Sequence, residues 1–239
     1  MLKAVILAAG KGTRMNTLTA ELPKPMLAVQ GKPILQHIIE GLRDHAHVRH
    51  FFIIIGYQGD VIKNHFGDGS QWKVSITYGV QEVQNGTGKA PELAAPWIGR
   101  ERFLLTYGDI LIDPSDYGYL HDQFAGDGVI ALKAGEDLSK GGAVVLDTED
   151  WMIDLVEKST QPPPNSYYNA GIYLFTPTIF EYTARLEKSP RGEYELTDAL
   201  KALTSSGGRI RGVQLRKRWV DVRDPEVLAS LNQKTDFAP

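Results

Sequence analysis

Short apolar runs alternate with amphipathic stretches through the first half of the chain. Val5-Ile6-Leu7-Ala8-Ala9 and Phe51-Phe52-Ile53-Ile54-Ile55 are continuous apolar runs that stop at Gly10 and Gly56. Runs of this length with no polar alternation suit strands buried on both faces. Between them Pro33 opens a helical pattern, with Ile34, Leu35, Ile38, Ile39 and Leu42 on one face. A short helix is predicted over 60–65, a strand over 74–78 and a helix over 89–95. A fourth strand, Phe103–Tyr107, ends at Gly108-Asp109. Strand and helix in succession predict an α/β fold with a parallel sheet flanked by helices. Ligands of such sheets lie beyond the carboxyl ends of strands, where both the 10–14 loop and Gly108-Asp109 fall.

The second half is less regular. A strand is expected over 129–133, then a hairpin of 143–146 with 152–157 across an acidic turn. Gln161-Pro162-Pro163-Pro164-Asn165 reads as a stiff loop, too short to link domains. A strand over 169–175 carries Gly171 inside it, which signals a close approach of backbone or ligand. Helices are expected over 179–186, 196–204 and 225–232, and strands 210–215 and 219–222 are expected to close the sheet. With no internal repeat or long linker, the reading is one domain over 1–239.

Composition narrows the partners. The 239 residues carry a net charge of −3, which offers no general attraction for nucleic acid or an anionic membrane, so any polyanion site is local. There is no cysteine, hence no disulfide and no thiolate metal site. Met1-Leu2-Lys3 runs straight into the first strand without the layout of a signal peptide, and no run approaches about 18 apolar residues. A cytoplasmic location is the expectation. Oligomeric state is not read from the residues; a homo-oligomer is compatible with them.

The loop after the first strand holds the clearest chemistry. Gly10 and Gly12 let a backbone approach a ligand, and Lys11, Arg14, Lys24 and, further on, Lys32 supply positive charge. A buried strand ending in such a loop suits a phosphate chain. The G-x-x-x-x-G-K-[ST] spacing does not occur, and Met15 stands where the dinucleotide fingerprint has its third glycine. Asp109 follows a buried strand, and Asp221 is the one acid in Trp219-Val220-Asp221-Val222. Two carboxylates facing a triphosphate can hold Mg²⁺. Equally, Asp109 can cap a turn and Asp221 can pair with Arg216, Arg218 or Arg223. Glu157-Lys158 reads as a surface ion pair at a hairpin end, and Glu193 and Glu195 as acids at a helix N-terminus. His45, His47 and His50 beside Asp44 match no zinc spacing and read as a polar turn. The basic residues Arg209, Arg211, Arg216, Lys217 and Arg218 alternate with apolar ones, as on a solvated strand face.

Leu7-Ala8-Ala9-Gly10-Lys11-Gly12-Thr13-Arg14-Met15, followed by Pro23-Lys24-Pro25-Met26, resembles the signature of sugar-1-phosphate nucleotidylyltransferases. The resemblance runs from residue 3 to about 230 and includes no carboxyl-terminal repeat domain. It implies a Rossmann-like nucleotidyltransferase fold with a mixed, mostly parallel sheet. Residues 1–125 would form a nucleotide-binding half and 126–239 a sugar-phosphate-binding half. The implied reaction takes an NTP and a sugar 1-phosphate to an NDP-sugar and pyrophosphate, as in the making of cell-envelope polysaccharide precursors. The same resemblance gives Arg14, Lys24, Asp109 and Lys158 catalytic roles, with Mg²⁺ on Asp109 and Asp221. Leu7, Ala9, Gly10, Lys11, Gly12, Thr13, Gln81, Gly86 and Thr87 would bind the nucleotide. Gly142, Glu157, Lys158, Asn169 and Gly171 would bind the sugar phosphate, and Glu193 and Glu195 look like a late acidic element. A glutamine amide suits the imide edge of uracil or thymine, favouring UTP or dTTP, and glycines at 86 and 88 would let the base lie flat on the backbone. GTP- or CTP-dependent relatives acting on mannose or heptose 1-phosphate, a phosphocholine acceptor and a non-catalytic nucleotide sensor are the rival readings. Departures from the family pattern are Thr17 and Ser159, where prolines are usual, and Arg223-Asp224-Pro225-Glu226 after Asp221.

Overall fold

The structure is a computed structural model that describes residues 1–233. In chain order its elements begin with β1 (Lys3–Ala8), β2 (Ala28–Val29), β3 (Lys32–Pro33), α1 (Ile34–His45), β4 (His50–Ile55), α2 (Gly59–Phe66) and β5 (Ser75–Val80). Next come α3 (Ala95–Ile98), β6 (Phe103–Tyr107), β7 (Ile110–Ile112), α4 (Ser115–Asp122), β8 (Gly128–Lys133), β9 (Gly142–Leu146) and β10 (Met152–Glu157). The chain continues through β11 (Ser166–Phe175), α5 (Ile179–Thr183), α6 (Leu196–Ser205), β12 (Ile210–Gln214), β13 (Trp219–Asp221) and α7 (Pro225–Gln233). Two compact units interleave along this order. The first takes 1–84, 106–118 and the chain from 217 on, and the second takes 85–105 and 119–216.

In the first unit β4 lies between β1 and β5 in a wholly parallel ladder, pairing Val5 with Phe52 and Ile53 with Tyr78. Every residue of β4 except His50 is buried, which is why Phe51–Ile55 has no polar position. The apolar stripe of α1 is buried with it, and Gly41 leaves room for Tyr117, since a Cβ there would lie 2.9 Å from the ring. In the second unit the ladder is mixed. β8 pairs antiparallel with β11 and parallel with β12, while β9 pairs antiparallel with β10 and β11. The Phe103 ring stacks on Phe180 at 5.2 Å and meets Phe175 at 6.0 Å. The fold is thus the α/β arrangement that the strand–helix order predicts, with the mixed sheet that the family resemblance implies.

Three local expectations change. The 219–222 strand does not close the main sheet: β13 pairs antiparallel with β7 in a separate two-stranded ribbon. Gly108-Asp109 turns the chain out of β6, so the short apolar run Ile110-Leu111-Ile112 becomes a new strand, and β13 finds its ladder there. The 89–95 helix is only a 3₁₀ segment, Ala90–Ala94, followed by the one-turn α3, because Pro91 and Pro96 lack the N–H that longer helix ladders need. The third change is that α4 exists at all; Asp113 caps it by accepting from the Ser115 N–H at 3.0 Å.

Candidate active site

The loop after β1 is shaped by two glycines with different jobs. A Cβ on Gly10 would meet nothing within 4 Å, so the space above it is open. Gly12 has φ +62°, and a Cβ there would lie 3.1 Å from the Lys24 Cβ. Only glycine takes both that backbone and that contact without strain. Met15 donates its N–H to the Gly12 carbonyl at 2.8 Å and is fully buried, which starts the 3₁₀ helix Thr13–Thr19. Lys11, Thr13 and Arg14 remain exposed at the loop, Ala9 is buried and Leu7 is half-buried. Lys32 is not part of this group; its ammonium lies 2.8 Å from Glu40.

Lys24 faces two carboxylates. Its Nζ donates to Asp109 Oδ2 at 2.5 Å and lies 3.9 Å from Asp221 Oδ1. The β7–β13 ribbon brings those acids together, since Asp221 pairs with Ile110 and the Val222 N–H donates to the Asp109 carbonyl at 3.0 Å. Gly108 ties the same corner to β1 through a 2.8 Å hydrogen bond to the Leu7 carbonyl. Burial and then the neighbouring Asp109 charge push the Asp221 carboxyl up to about 6, against the pull of Lys24, Arg223 and Arg14. Of the partners the sequence suggested for Asp221, Arg223 is thus felt, but Lys24 acts more strongly. The Arg223-Asp224-Pro225 departure has its own local sense. Asp224 accepts from the Val227 N–H at 2.9 Å and caps α7, with Pro225 at the first helical position.

Within the second unit, Gly142, Glu157 and Asn169 converge. Glu157 pairs with Gly142 across the β9–β10 ladder, and a Cβ on Gly142 would lie 3.3 Å from both Glu157 Oε1 and Asn169 Cβ. The Asn169 amide donates to Tyr173 Oη at 2.8 Å and its oxygen accepts from the Gly171 N–H at 3.1 Å. Gly171 has φ +74° where the β11 register shifts, so the glycine inside the strand marks a bulge. Lys158 is exposed, takes φ +49° and donates its N–H to the Gly141 carbonyl at 2.8 Å. Burial raises the Glu157 carboxyl; the Thr197 hydroxyl and the Arg191 charge oppose this, and the Glu195 charge adds to it.

Glu195 is buried at the start of α6, yet its carboxylate does not cap the helix. It accepts from Arg191 Nη2 at 2.8 Å and Ser189 Oγ at 3.2 Å, whereas Glu193 is exposed. Arg191 had not been singled out from sequence; it sits in an exposed turn with no local pattern to mark it. Gln81 follows β5 and donates its N–H to the Ile55 carbonyl at 2.8 Å. Gly86 and Thr87, in the second unit, lie against Tyr194 and Leu196. Among the described residues no group of three or more His, Asp or Glu side chains gathers around one point; His45 ends α1, His47 lies in the connection that follows and His50 opens β4. Arg209 and Arg216 lie over the Trp151 and Tyr119 rings, each at 3.9 Å.

Residues 3–236 match the family model described as nucleotidyl transferase. The bifunctional protein GlmU of Methanococcus maripaludis (strain S2) is 37% identical over 230 residues, 96% of this chain and 53% of that protein. The UTP–glucose-1-phosphate uridylyltransferase AglF of Haloferax volcanii is 32% identical over 229 residues, covering 94% of this chain and 93% of that one. A solved structure from Bacillus anthracis, assigned as a glucose-1-phosphate thymidylyltransferase, superposes with a TM-score of 0.86 at 27% identity, over 100% of this chain and 98% of the other. The chain spans about half the length of the GlmU relatives it matches.

Proposed function

Because the chain belongs to the nucleotidyl transferase family, we propose that it transfers a nucleotidyl group from an NTP to a sugar 1-phosphate, yielding an NDP-sugar and pyrophosphate. The observation that carries this reading is the Lys24 ammonium, 2.5 Å from Asp109 and 3.9 Å from Asp221, beside a glycine loop with open space above it. A sugar-phosphate oxygen is already anionic, so the reaction needs little help from a general base. Its obstacle is repulsion between that oxygen and the triphosphate. As the oxygen bonds to the α-phosphorus, the bond from that phosphorus to the bridging oxygen breaks and pyrophosphate leaves.

Lys11 and Arg14 on the exposed loop are suited to the departing phosphates, with backbone N–H groups beside Gly10 and Gly12. Lys24 holds charge at the point where the two aspartates meet. These carboxylates fit a divalent cation: they offer hard oxygen donors, and burial together with the neighbouring Asp109 charge already raises the Asp221 carboxyl to about 6. Mg²⁺ bound there would neutralise triphosphate charge and favour departure of pyrophosphate. On the sugar side Glu157 and Asn169 suit hydroxyl groups, and Lys158 and Arg191 suit the phosphate. Gln81 favours UTP or dTTP through the imide edge of the base. Among the described residues no helix is long and apolar enough to cross a membrane; we place the reaction in the cytoplasm, where NTPs are available.

A panel of NTPs against sugar 1-phosphates, read as pyrophosphate release with Mg²⁺, tests the proposal. We expect turnover on at least one pair containing UTP or dTTP. No release on any pair, from folded protein, would overturn it.

A further inference from the structure

The glycines at 86 and 88 answer to protein backbone. A Cβ on Gly86 would overlap the Tyr194 carbonyl oxygen, and φ there is +110°. A Cβ on Gly88 would overlap the Leu186 side chain and lie 2.9 Å from the Glu195 carbonyl carbon. The close approach is a short parallel pairing. The Tyr194 N–H donates to the Asn85 carbonyl at 2.8 Å, and the Gly88 N–H donates to the Tyr194 carbonyl at 2.8 Å. The Thr87 hydroxyl faces the first N–H of α6, on Leu196, at 3.4 Å. That N–H has no intrahelical partner, so the hydroxyl serves the helix start where the Glu195 carboxylate does not.

We infer that the 85–88 loop is a positioning element for Glu195, so that nucleotide binding and sugar-phosphate binding reinforce one another through this pairing. The inference rests on the proposed reading of the loop as part of the nucleotide site. Glu195 sits one residue beyond the paired Tyr194, and its carboxylate is held on the other side by Arg191 and Ser189. Its charge also bears on Glu157. The segment is therefore clamped between the loop and the Arg191 turn. A nucleotide that orders the loop reduces the freedom left in the Tyr194–Glu195 backbone and, through the Glu195–Arg191 ion pair, in a side chain proposed for the sugar phosphate. Two ligands that each order one shared segment must raise each other's affinity, and by an equal factor.

The test uses the full chain and the NTP–sugar phosphate pair it turns over fastest. Gly88→Ala forces the pairing apart by its contact with the Glu195 backbone. It is expected to raise the KM for the sugar phosphate at saturating NTP by about fivefold or more, and the KM for NTP at saturating sugar phosphate by a similar factor. Thr87→Val removes the hydroxyl that accepts from the Leu196 N–H and is expected to shift both KM values in the same direction, while Thr87→Ser restores them. The milder pair keeps the test available should Gly88→Ala not fold. An increase confined to one of the two KM values in these variants, or Val and Ser behaving alike, would overturn the inference and leave the proposed reaction standing. A wild-type chain that releases no pyrophosphate on any pair would overturn both.

Discussion

At the residue scale the most informative group is Asp221. Its carboxyl is raised to about 6 when folded, against about 3.9 for an unstructured aspartate. The folded state therefore holds the proton more tightly, and stability from this group falls as the pH rises from about 4 to about 6. Below that window both states are protonated and the penalty vanishes. Asp221→Asn removes the charge while keeping the shape. In the presence of a chelator the variant should be more stable than wild type by roughly 3 kcal/mol near pH 7.5, with the gain gone near pH 4, as read by thermal or denaturant unfolding. A gain independent of pH would mean that packing, and not the buried charge, sets the difference. The cost of holding this acid ionised is one reason to expect a cation beside it.

At the scale of elements, backbone geometry carries the predictions. Gly12→Ala places a side chain at φ +62° and against Lys24. It should cost about 1–2 kcal/mol from the left-handed backbone. The KM for NTP should rise with it, because the loop and Lys24 move together. Asp224→Ala removes the cap of α7 and should cost about 1 kcal/mol in chemical denaturation. These elements also show what could be read in advance. β1, β4 and β6 were legible because each is a short buried apolar run closed by a glycine turn or polar residues. β7 was not, being three residues long, and α4 was not, because Ser115–Asp122 has no continuous apolar stripe and depends on Asp113 and on Tyr117 packing over Gly41. Asp109 and Asp221 each stood out alone, but their meeting depends on a ribbon formed over a separation of more than a hundred residues. Gly86 and Gly88 read as a surface for a base, and their tight fit to Tyr194 and Glu195 adds a tertiary contact that no local pattern encodes. Arg191 was missed for the same reason.

At the scale of the whole molecule the two interleaved units divide the proposed labour. The first holds Gly10–Arg14, Lys24, Asp109 and Asp221, and the second holds Gly142, Glu157, Lys158, Asn169, Arg191 and Glu195. A substrate that binds the folded chain alone must stabilise it. Mg²⁺ with its preferred NTP at about 100 times Kd should add about 2.7 kcal/mol, a rise in Tm of roughly 5–10 °C for a chain of this size. The overall charge of −3 predicts no comparable shift with duplex DNA. The claim on which these expectations depend is that Lys24, Asp109 and Asp221 form the nucleotidyl-transfer centre. The direct measurement is pyrophosphate release by Asp109→Asn beside the wild type, with Mg²⁺ and the best NTP–sugar phosphate pair, in protein shown to be folded by circular dichroism. A loss of roughly a hundredfold or more in kcat is the predicted result. Turnover at the wild-type rate would contradict it.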